Sequence, residues 1–222
     1  MSRSKSKHYL IADPSLDSPA AEAYRKLRTT LDYSHQDEGI RTLMITSALS
    51  GEGKSTTAAN LSMAYAQCRK KVLLIDADLR SPSQHSIFNV EQNPGISAVL
   101  NGQALLEEVL VPVLDGTLTL LPAGPLSGNP AELLTSPRMK DLLAELSGKF
   151  DLILIDTPAL LTYSDAQIIA AQCDGVLLVV KPGKVKNGAA LKARESLALV
   201  KARVLGAVLS NVNRKNAGRF IY

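Results

Sequence analysis

The chain has 222 residues and a formal net charge of +4, with 45% hydrophobic, 21% charged and 4% aromatic residues. This length and ordinary globular composition predict one large domain whose core needs no disulfide or metal, and they exclude disorder of the whole chain. The absence of Trp and the scarcity of aromatic residues argue against a stacking platform for single-stranded nucleic acid, and the mild charge predicts no nucleic-acid partner.

The N-terminal region is predicted to be an arm, residues 1–17, followed by a helix. Ser18 has the residue type of an N-cap and Pro19 suits the first helical position, so the helix is expected to run to about Tyr33. The apolar stretch in the arm is too short for a secretory signal, and no run of about 20 apolar residues occurs. The sequence therefore predicts a cytoplasmic protein without a membrane span of its own.

Six short apolar runs alternate with helical patterns along the rest of the chain. Nearly continuous apolar runs indicate strands covered on both faces, and their alternation with helices predicts an α/β fold with a mainly parallel sheet between two helical layers. The predicted strands are Thr42–Thr46, Val72–Ile75, Leu118–Leu121, Leu152–Ile155, Val176–Val180 and Val204–Leu209. The predicted helices between them are Ser55–Gln67, Ala131–Thr135, Pro137–Leu146, Ser164–Gln172 and Ala189–Ala202. Residues 214–222 are predicted to form a short tail.

A phosphate-binding loop follows the first predicted strand. The segment Ala48-Leu49-Ser50-Gly51-Glu52-Gly53-Lys54-Ser55 matches a P-loop except for Ala48 at the usual first Gly, and Thr56 continues it into a helix. The glycines let backbone N–H groups face phosphates, and Lys54 reaches the β- and γ-phosphates. We therefore expect residues 50–56 to bind ATP and the Ser55 hydroxyl to bind Mg²⁺. A strand-to-helix turn without a ligand is the alternative.

Carboxylates follow two further predicted strands. Asp76, Asp78 and Arg80 come directly after the strand at 72–75, and Asp156 follows the strand at 152–155. Because ligands bind at the carboxyl edge of open α/β sheets, these four residues are expected to join Lys54 in one Mg·ATP site with catalytic roles. Asp76 is the candidate base, and Asp78 and Asp156 are expected to arrange Mg²⁺ and its waters. The alternative for the acidic pair is a solvated loop with a salt bridge to Arg80.

These motifs resemble those of the bacterial protein-tyrosine kinases that govern capsule and exopolysaccharide synthesis, a branch of the P-loop ATPases. The P-loop, the acidic motif at 76–80 and Asp156 have the family's order and spacing, and the segment 129–134 also resembles a family segment. The resemblance covers about residues 20–213. It implies a P-loop NTPase fold and phosphoryl transfer from ATP to tyrosines of the chain itself and of other proteins. It also implies recruitment to the inner face of the cell membrane by a separate membrane-embedded activator.

The family's oligomerisation motif, Glu-x-x-Arg-x-x-Arg, is present on the first predicted helix as Glu22, Arg25 and Arg28. At about 100° per residue these three side chains fall within roughly 120° of the helix surface. They are predicted to form one charged band that meets a neighbouring subunit in a ring-like homo-oligomer. A solvated helix face is the alternative.

The C-terminal tail departs from the family pattern. The tyrosine kinases end in a cluster of phosphate-accepting tyrosines, whereas residues 214–222 contain Tyr222 alone. Tyr222 is therefore the predicted phosphoacceptor of the tail, within reach of the nucleotide edge of a neighbouring subunit. The sparse tail also leaves open a regulatory partner that binds ATP but phosphorylates little.

A further alternative is a nucleotide-switched assembly ATPase of the chromosome-partitioning or division-site type. Those relatives share the fold and carry a second Lys early in the P-loop, where this chain has Leu49, and this difference favours the kinase.

Since the last predicted strand should end beside the P-loop, Asn211 and Asn213 are predicted to contact the adenine. Turn chemistry is the other explanation for these two residues.

Overall fold

A seven-stranded sheet forms the centre of the computed structural model, which describes residues 10, 18–35, 39–126, 128–183 and 187–212, the side chain of residue 187 excepted. The strands are β1 (Thr42–Ser47), β2 (Val72–Asp76), β3 (Val111–Leu114), β4 (Leu118–Leu121), β5 (Leu152–Asp156), β6 (Gly175–Val180) and β7 (Val204–Leu209). Their order in the sheet is β3-β4-β2-β5-β1-β6-β7. All neighbours run parallel except β3, which is antiparallel to β4. The predicted α/β fold with a mainly parallel sheet is confirmed.

Helices cover both faces of this sheet. They are α1 (Pro19–Ser34), α2 (Lys54–Ala66), α3 (Gln84–Phe88), α4 (Ile96–Leu100), α5 (Leu106–Val109), α6 (Pro130–Thr135), α7 (Pro137–Lys149), α8 (Asp165–Ala170) and α9 (Asn187–Leu199). Each predicted strand agrees with the structure to within one residue at either end, and each predicted helix to within three. The predicted arm, apart from Leu10, and the predicted tail lie outside the described residues.

The core has two layers because alternate residues of the central strands pack on opposite faces of the sheet. On β2, Leu73 and Ile75 join one buried cluster, while Val72 and Leu74 join the other. All five residues of β2 and all five of β5 are buried. This double burial explains why these strands read as continuous apolar runs.

The first helix begins as its sequence predicts. The Ser18 hydroxyl accepts a hydrogen bond from the Ala21 amide at 3.0 Å, and Pro19 occupies the first helical turn. The helix packs on α2. In this contact, burial raises the pKa of Tyr24, a residue of the first helix, although its hydrogen bonds to Thr57 and Asn60 act in the opposite direction.

Among the described residues, no helix has the length and apolar character needed to cross a bilayer.

Candidate active site

The P-loop connects β1 to α2 through two glycines in the left-handed region. Gly51 has φ 75° and Gly53 has φ 95°, values that residues with a Cβ rarely adopt. Gly53 also packs closely on Ser210, whose side chain would lie 3.3 Å from an added Cβ. Among the described residues no side chain caps the first turn of α2, so its backbone N–H groups are left to bind a phosphate.

Glu52 stabilises the P-loop through hydrogen bonds. Its carboxylate is fully buried and accepts hydrogen bonds from the backbone amides of Leu49 and of Lys181, the latter at 3.1 Å. Its backbone carbonyl accepts a hydrogen bond from the Ser210 hydroxyl. The carboxylate thus ties the loop to the end of β6, and the backbone carbonyl ties it to the end of β7. The expectation that Glu52 binds ATP stays a prediction, and it concerns the backbone N–H, which is left for a phosphate.

Lys54 forms an ion pair with Asp78 at the start of α2. Its Nζ lies 2.9 Å from Asp78 Oδ2 and 3.1 Å from the Ser55 hydroxyl, while Asp78 Oδ1 accepts a hydrogen bond from the Ser81 amide. Burial disfavours the ammonium, but the neighbouring carboxylates of Asp156 and Asp78 outweigh this effect and raise the pKa of Lys54. Lys54 thus stays charged and faces the region where the loop would hold phosphates.

Asp76 and Asp156 lie side by side because β2 pairs with β5 in a register that puts these two residues opposite each other. Both are fully buried, and burial raises the pKa of each carboxyl. Asp76 accepts hydrogen bonds from three backbone amides, those of Asp78, Ser83 and Gln84. Asp76 and Asp78 are both buried, and Asp78 pairs with Lys54, which rules out the alternative of a solvated loop for this acidic pair.

Gln84 is a site residue that the sequence reasoning missed. Its fully buried amide Nε2 donates to Asp156 Oδ2 at 2.8 Å and to the Ser55 carbonyl at 3.0 Å. The helix that carries it, α3, has five residues, too few for a periodic apolar pattern to reveal it. No motif in the sequence would have singled out this glutamine.

Arg80 turns away from the acidic pair and binds a second missed residue, Asp165. Its Nε and Nη2 donate to the two Asp165 oxygens at 2.7 and 3.1 Å, and its guanidinium stacks 4.1 Å from the centre of the Tyr163 ring. Asp165 is fully buried at the start of α8, and its hydrogen bonds raise the pKa of Arg80. The salt bridge from Arg80 to the acidic pair, which belonged to the solvated-loop alternative, is not formed, and a catalytic role for Arg80 stays a prediction.

The arrangement fits Mg²⁺ bound together with ATP. Asp156 Oδ1 is buried and has no hydrogen-bond partner among the described residues, and the Ser55 hydroxyl and Asp78 lie at the same edge. The described part of the chain holds no cluster of three or more His, Cys, Asp or Glu residues suited to a metal. Mg²⁺ needs no such cage, because it keeps several waters and shares one or two carboxylates with the phosphates of its nucleotide.

The end of β7 opens beside the P-loop, as predicted. The Ser210 amide donates to the Val180 carbonyl at 2.9 Å, and the Ser210 hydroxyl donates to the Glu52 carbonyl of the P-loop. The next residue, Asn211, is exposed. Asn211 has φ 53°, a left-handed conformation that Asn tolerates well, so turn chemistry also explains its residue type. Asn213 and Tyr222 lie outside the described residues.

The predicted charged band on α1 needs a correction. Arg25 Nε pairs with Glu22 Oε2 at 2.8 Å along the helix surface. Arg28 instead donates to the Ala64 carbonyl at 2.9 Å and contacts Cys68 Sγ, so its guanidinium lies against α2 of its own chain. Glu22 and Arg25 are left as the outward-facing members of the motif.

The chain is similar to known bacterial tyrosine-protein kinases in sequence and in structure. A family model described as an AAA domain matches residues 40–201. Tyrosine-protein kinase YwqD of Bacillus subtilis is 42% identical over 207 residues, which cover 93% of this chain and 87% of that protein. The solved kinase domain of Escherichia coli tyrosine kinase ETK has a TM-score of 0.85 and 32% identity, over 91% of this chain and 80% of that one. The chimerical protein CapA2B2 has a TM-score of 0.86 and 34% identity, over 90% and 88%.

The assembly-ATPase alternative has a structural counterpart as well. The cell division ATPase MinD of Pyrococcus furiosus is similar with a TM-score of 0.65 and 28% identity, over 76% of this chain and 71% of that one. The fold is therefore shared between the two groups, while the likeness to the kinase domains is greater in score and in coverage.

Proposed function

This chain belongs to the bacterial tyrosine-protein kinases, and on that premise we propose that it transfers the γ-phosphoryl group of ATP to tyrosines of its own chain and of other proteins. The observation that carries the proposal is the meeting of Lys54, Asp76, Asp78 and Asp156 at one buried edge, beside an uncapped helix start. Phosphoryl transfer needs positioning and charge stabilisation more than covalent chemistry, and this edge supplies both.

Each residue has a distinct part in this mechanism. Lys54 exchanges its partner Asp78 for the phosphates and neutralises the negative charge that develops on them. Asp76 keeps lone pairs beyond its three hydrogen bonds from amides and is the proposed acceptor of the tyrosine proton. The Ser55 hydroxyl, Asp78 and Asp156 would hold Mg²⁺ and its waters, and the bound ion would stabilise charge on the phosphates.

The wider biological role rests on the family resemblance. We infer that the chain regulates capsular or exopolysaccharide synthesis, works as a ring-like homo-oligomer and is recruited from the cytoplasm to the inner face of the membrane by a membrane-embedded activator. Glu22 and Arg25 support the oligomer only through their accessibility on α1, which leaves them available to a neighbouring subunit. Tyr222 is the proposed acceptor in the tail.

One assay separates the kinase from its two alternatives. Purified protein is incubated with Mg²⁺ and γ-labelled ATP, with and without a random copolymer of Glu and Tyr, and both phosphotyrosine and free phosphate are measured. We expect labelled phosphotyrosine in the wild type, with tail phosphate located at Tyr222 by mass spectrometry. Free phosphate without phosphotyrosine would favour the assembly ATPase, and ATP binding without either product would favour the regulatory partner.

A further inference from the structure

One buried side chain joins three parts of the nucleotide site. Gln84 Nε2 donates to Asp156 at the end of β5 and to the Ser55 carbonyl at the start of α2. The Gln84 backbone N–H donates to Asp76 Oδ2 at the end of β2, at 2.9 Å. A single residue thus connects the helix start that would bind phosphate with both buried carboxylates.

The hydrogen-bond partners fix which way the Gln84 amide faces. Asp156 Oδ2 and the Ser55 carbonyl are both acceptors, so only the NH₂ end of the amide satisfies them. Gln84 Oε1 consequently points elsewhere, and it is buried without a hydrogen-bond partner in the described part of the chain. Asp156 Oδ1 is likewise buried without a hydrogen-bond partner among the described residues.

Two unpaired buried acceptors on two hydrogen-bonded side chains need an explanation, because buried oxygen atoms almost always have a partner. A ligand that brings a cation or hydrogen-bond donors would supply a partner for each of these two oxygen atoms. The neighbouring Ser55 hydroxyl and Lys54 belong to the proposed Mg·ATP site, so hydrated Mg²⁺ is the ligand whose chemistry matches.

We propose that Gln84 is a positioning residue for Mg²⁺, an inference that rests on the proposed function. By donating to Oδ2 it holds the Asp156 carboxylate in one orientation and leaves Oδ1 for the hydrated ion. Its own Oε1 is left to accept a hydrogen bond from water that the ion carries. Removing a group that orients a metal-binding side chain commonly weakens metal binding by about 10- to 100-fold.

The test compares Gln84→Met with Gln172→Met. Methionine has nearly the volume of glutamine but no amide. Gln172 is a matched control, because its Nε2 also bridges two acceptors, the carbonyls of Leu134 and Ile168 at 3.1 and 3.0 Å, away from the nucleotide edge. Binding of a fluorescent ATP analogue is titrated with Mg²⁺ and, separately, measured in EDTA.

We expect Gln84→Met to need about tenfold more Mg²⁺ for half-maximal enhancement of nucleotide binding. Its affinity for the nucleotide in EDTA should stay within about twofold of the wild type, since Gln84 acts through the ion, and Gln172→Met should match the wild type in both measurements. Mn²⁺ binding in the presence of ATP, followed by electron paramagnetic resonance, should weaken in parallel. Saturating Mg²⁺ should restore kcat in Gln84→Met.

An equal Mg²⁺ requirement in Gln84→Met and wild type would overturn the positioning role and leave the kinase proposal intact. A wild type that binds Mg·ATP but labels no tyrosine would overturn the kinase proposal alone, and a wild type indifferent to Mg²⁺ would overturn both. If Gln84→Met does not fold, as judged by its thermal unfolding, Gln84→Asn takes its place, because a shorter amide cannot reach both acceptors. The same tenfold and twofold criteria then decide.

Discussion

Lys54, Asp76 and Asp156 affect one another's ionisation because the two carboxyls are buried at neighbouring strand ends and the Lys54 ammonium lies close to them at the start of α2. Burial raises the pKa of both carboxyls, and the carboxylates in turn raise the pKa of the Lys54 ammonium. A group of this kind is poised for a ligand that brings both negative phosphates and a divalent cation, since each would find a partner of opposite charge.

Asn211 provides a test at the purine side of the site. We predict that Asn211→Gly raises the dissociation constant for Mg·ATP by about three- to tenfold, because one or two neutral hydrogen bonds are worth about 0.5–1.5 kcal/mol each. Glycine is the informative substitution, since φ 53° would strain alanine and confuse a backbone effect with a lost side chain. Isothermal titration calorimetry measures the change, and an unchanged dissociation constant would return Asn211 to turn chemistry.

Sequence patterns revealed the residues of this site only where a motif carried them. Lys54, Asp76, Asp78 and Asp156 stand directly at strand or helix ends, so topology alone brings them to one edge. Gln84 and Asp165 belong to helices of five and six residues, and their roles follow from side-chain rotamers and partners that no local pattern encodes. The same reason explains why the contacts of Arg80 with Asp165 and of Arg28 with α2 were not predicted.

Elements differ in how strongly the sequence specifies them. The buried strands β1, β2 and β5 have continuous apolar runs, and they were predicted almost to the residue. The edge strand β3 has four residues, one of them Pro112, and a proline argues against a strand in sequence-based prediction. Helices α3, α4 and α5 have four or five residues each, less than two turns, and were missed for that reason.

The contact between α1 and α2 leads to a prediction that separates folding from assembly. Arg28→Ala should lower the free energy of unfolding by about 1–2 kcal/mol, because it removes a charged hydrogen bond that fixes α1 on α2. The double variant Glu22→Ala/Arg25→Ala should change it by less than about 0.5 kcal/mol, since exposed ion pairs contribute little, but should shift the particle toward monomer. Urea unfolding and light scattering measure the two effects. An unchanged mass in the double variant would leave this pair as a solvated surface.

Gly95 directly precedes α4 and packs on the backbone that follows β4, so it is expected to tolerate no side chain. An added Cβ would lie under 3.0 Å from backbone atoms of Pro122, Ala123 and Gly124, none of which can rotate away. Gly95→Ala should therefore lower the free energy of unfolding by about 2–3 kcal/mol. Gly148→Ala is the control: Gly148 lies within α7 and has open space around its Cα, so alanine there should stabilise by up to about 1 kcal/mol. Equal stabilities of the two variants would contradict the close approach.

At the scale of the whole molecule, the order of the strands concentrates chemistry at one edge. The P-loop strand β1 lies between β5 and β6, and β5 lies beside β2, so the phosphate loop and both carboxylate-bearing strands are neighbours. Parallel pairing brings their carboxyl ends together without any further specification in the sequence. The fold class was predictable for this reason, since it required only the alternation of apolar runs and helices.

The initial rate of tyrosine phosphorylation by Lys54→Met, relative to the wild type, tests whether phosphoryl transfer takes place at this edge of the sheet. We predict a loss of at least about 100-fold, because Lys54 is a largely buried cation at the loop that would hold the phosphates. Circular dichroism should show that the fold survives, since methionine keeps the apolar stem of the side chain. A folded Lys54→Met protein that phosphorylates tyrosine within about twofold of the wild-type rate would contradict the assignment of this edge as the site of phosphoryl transfer.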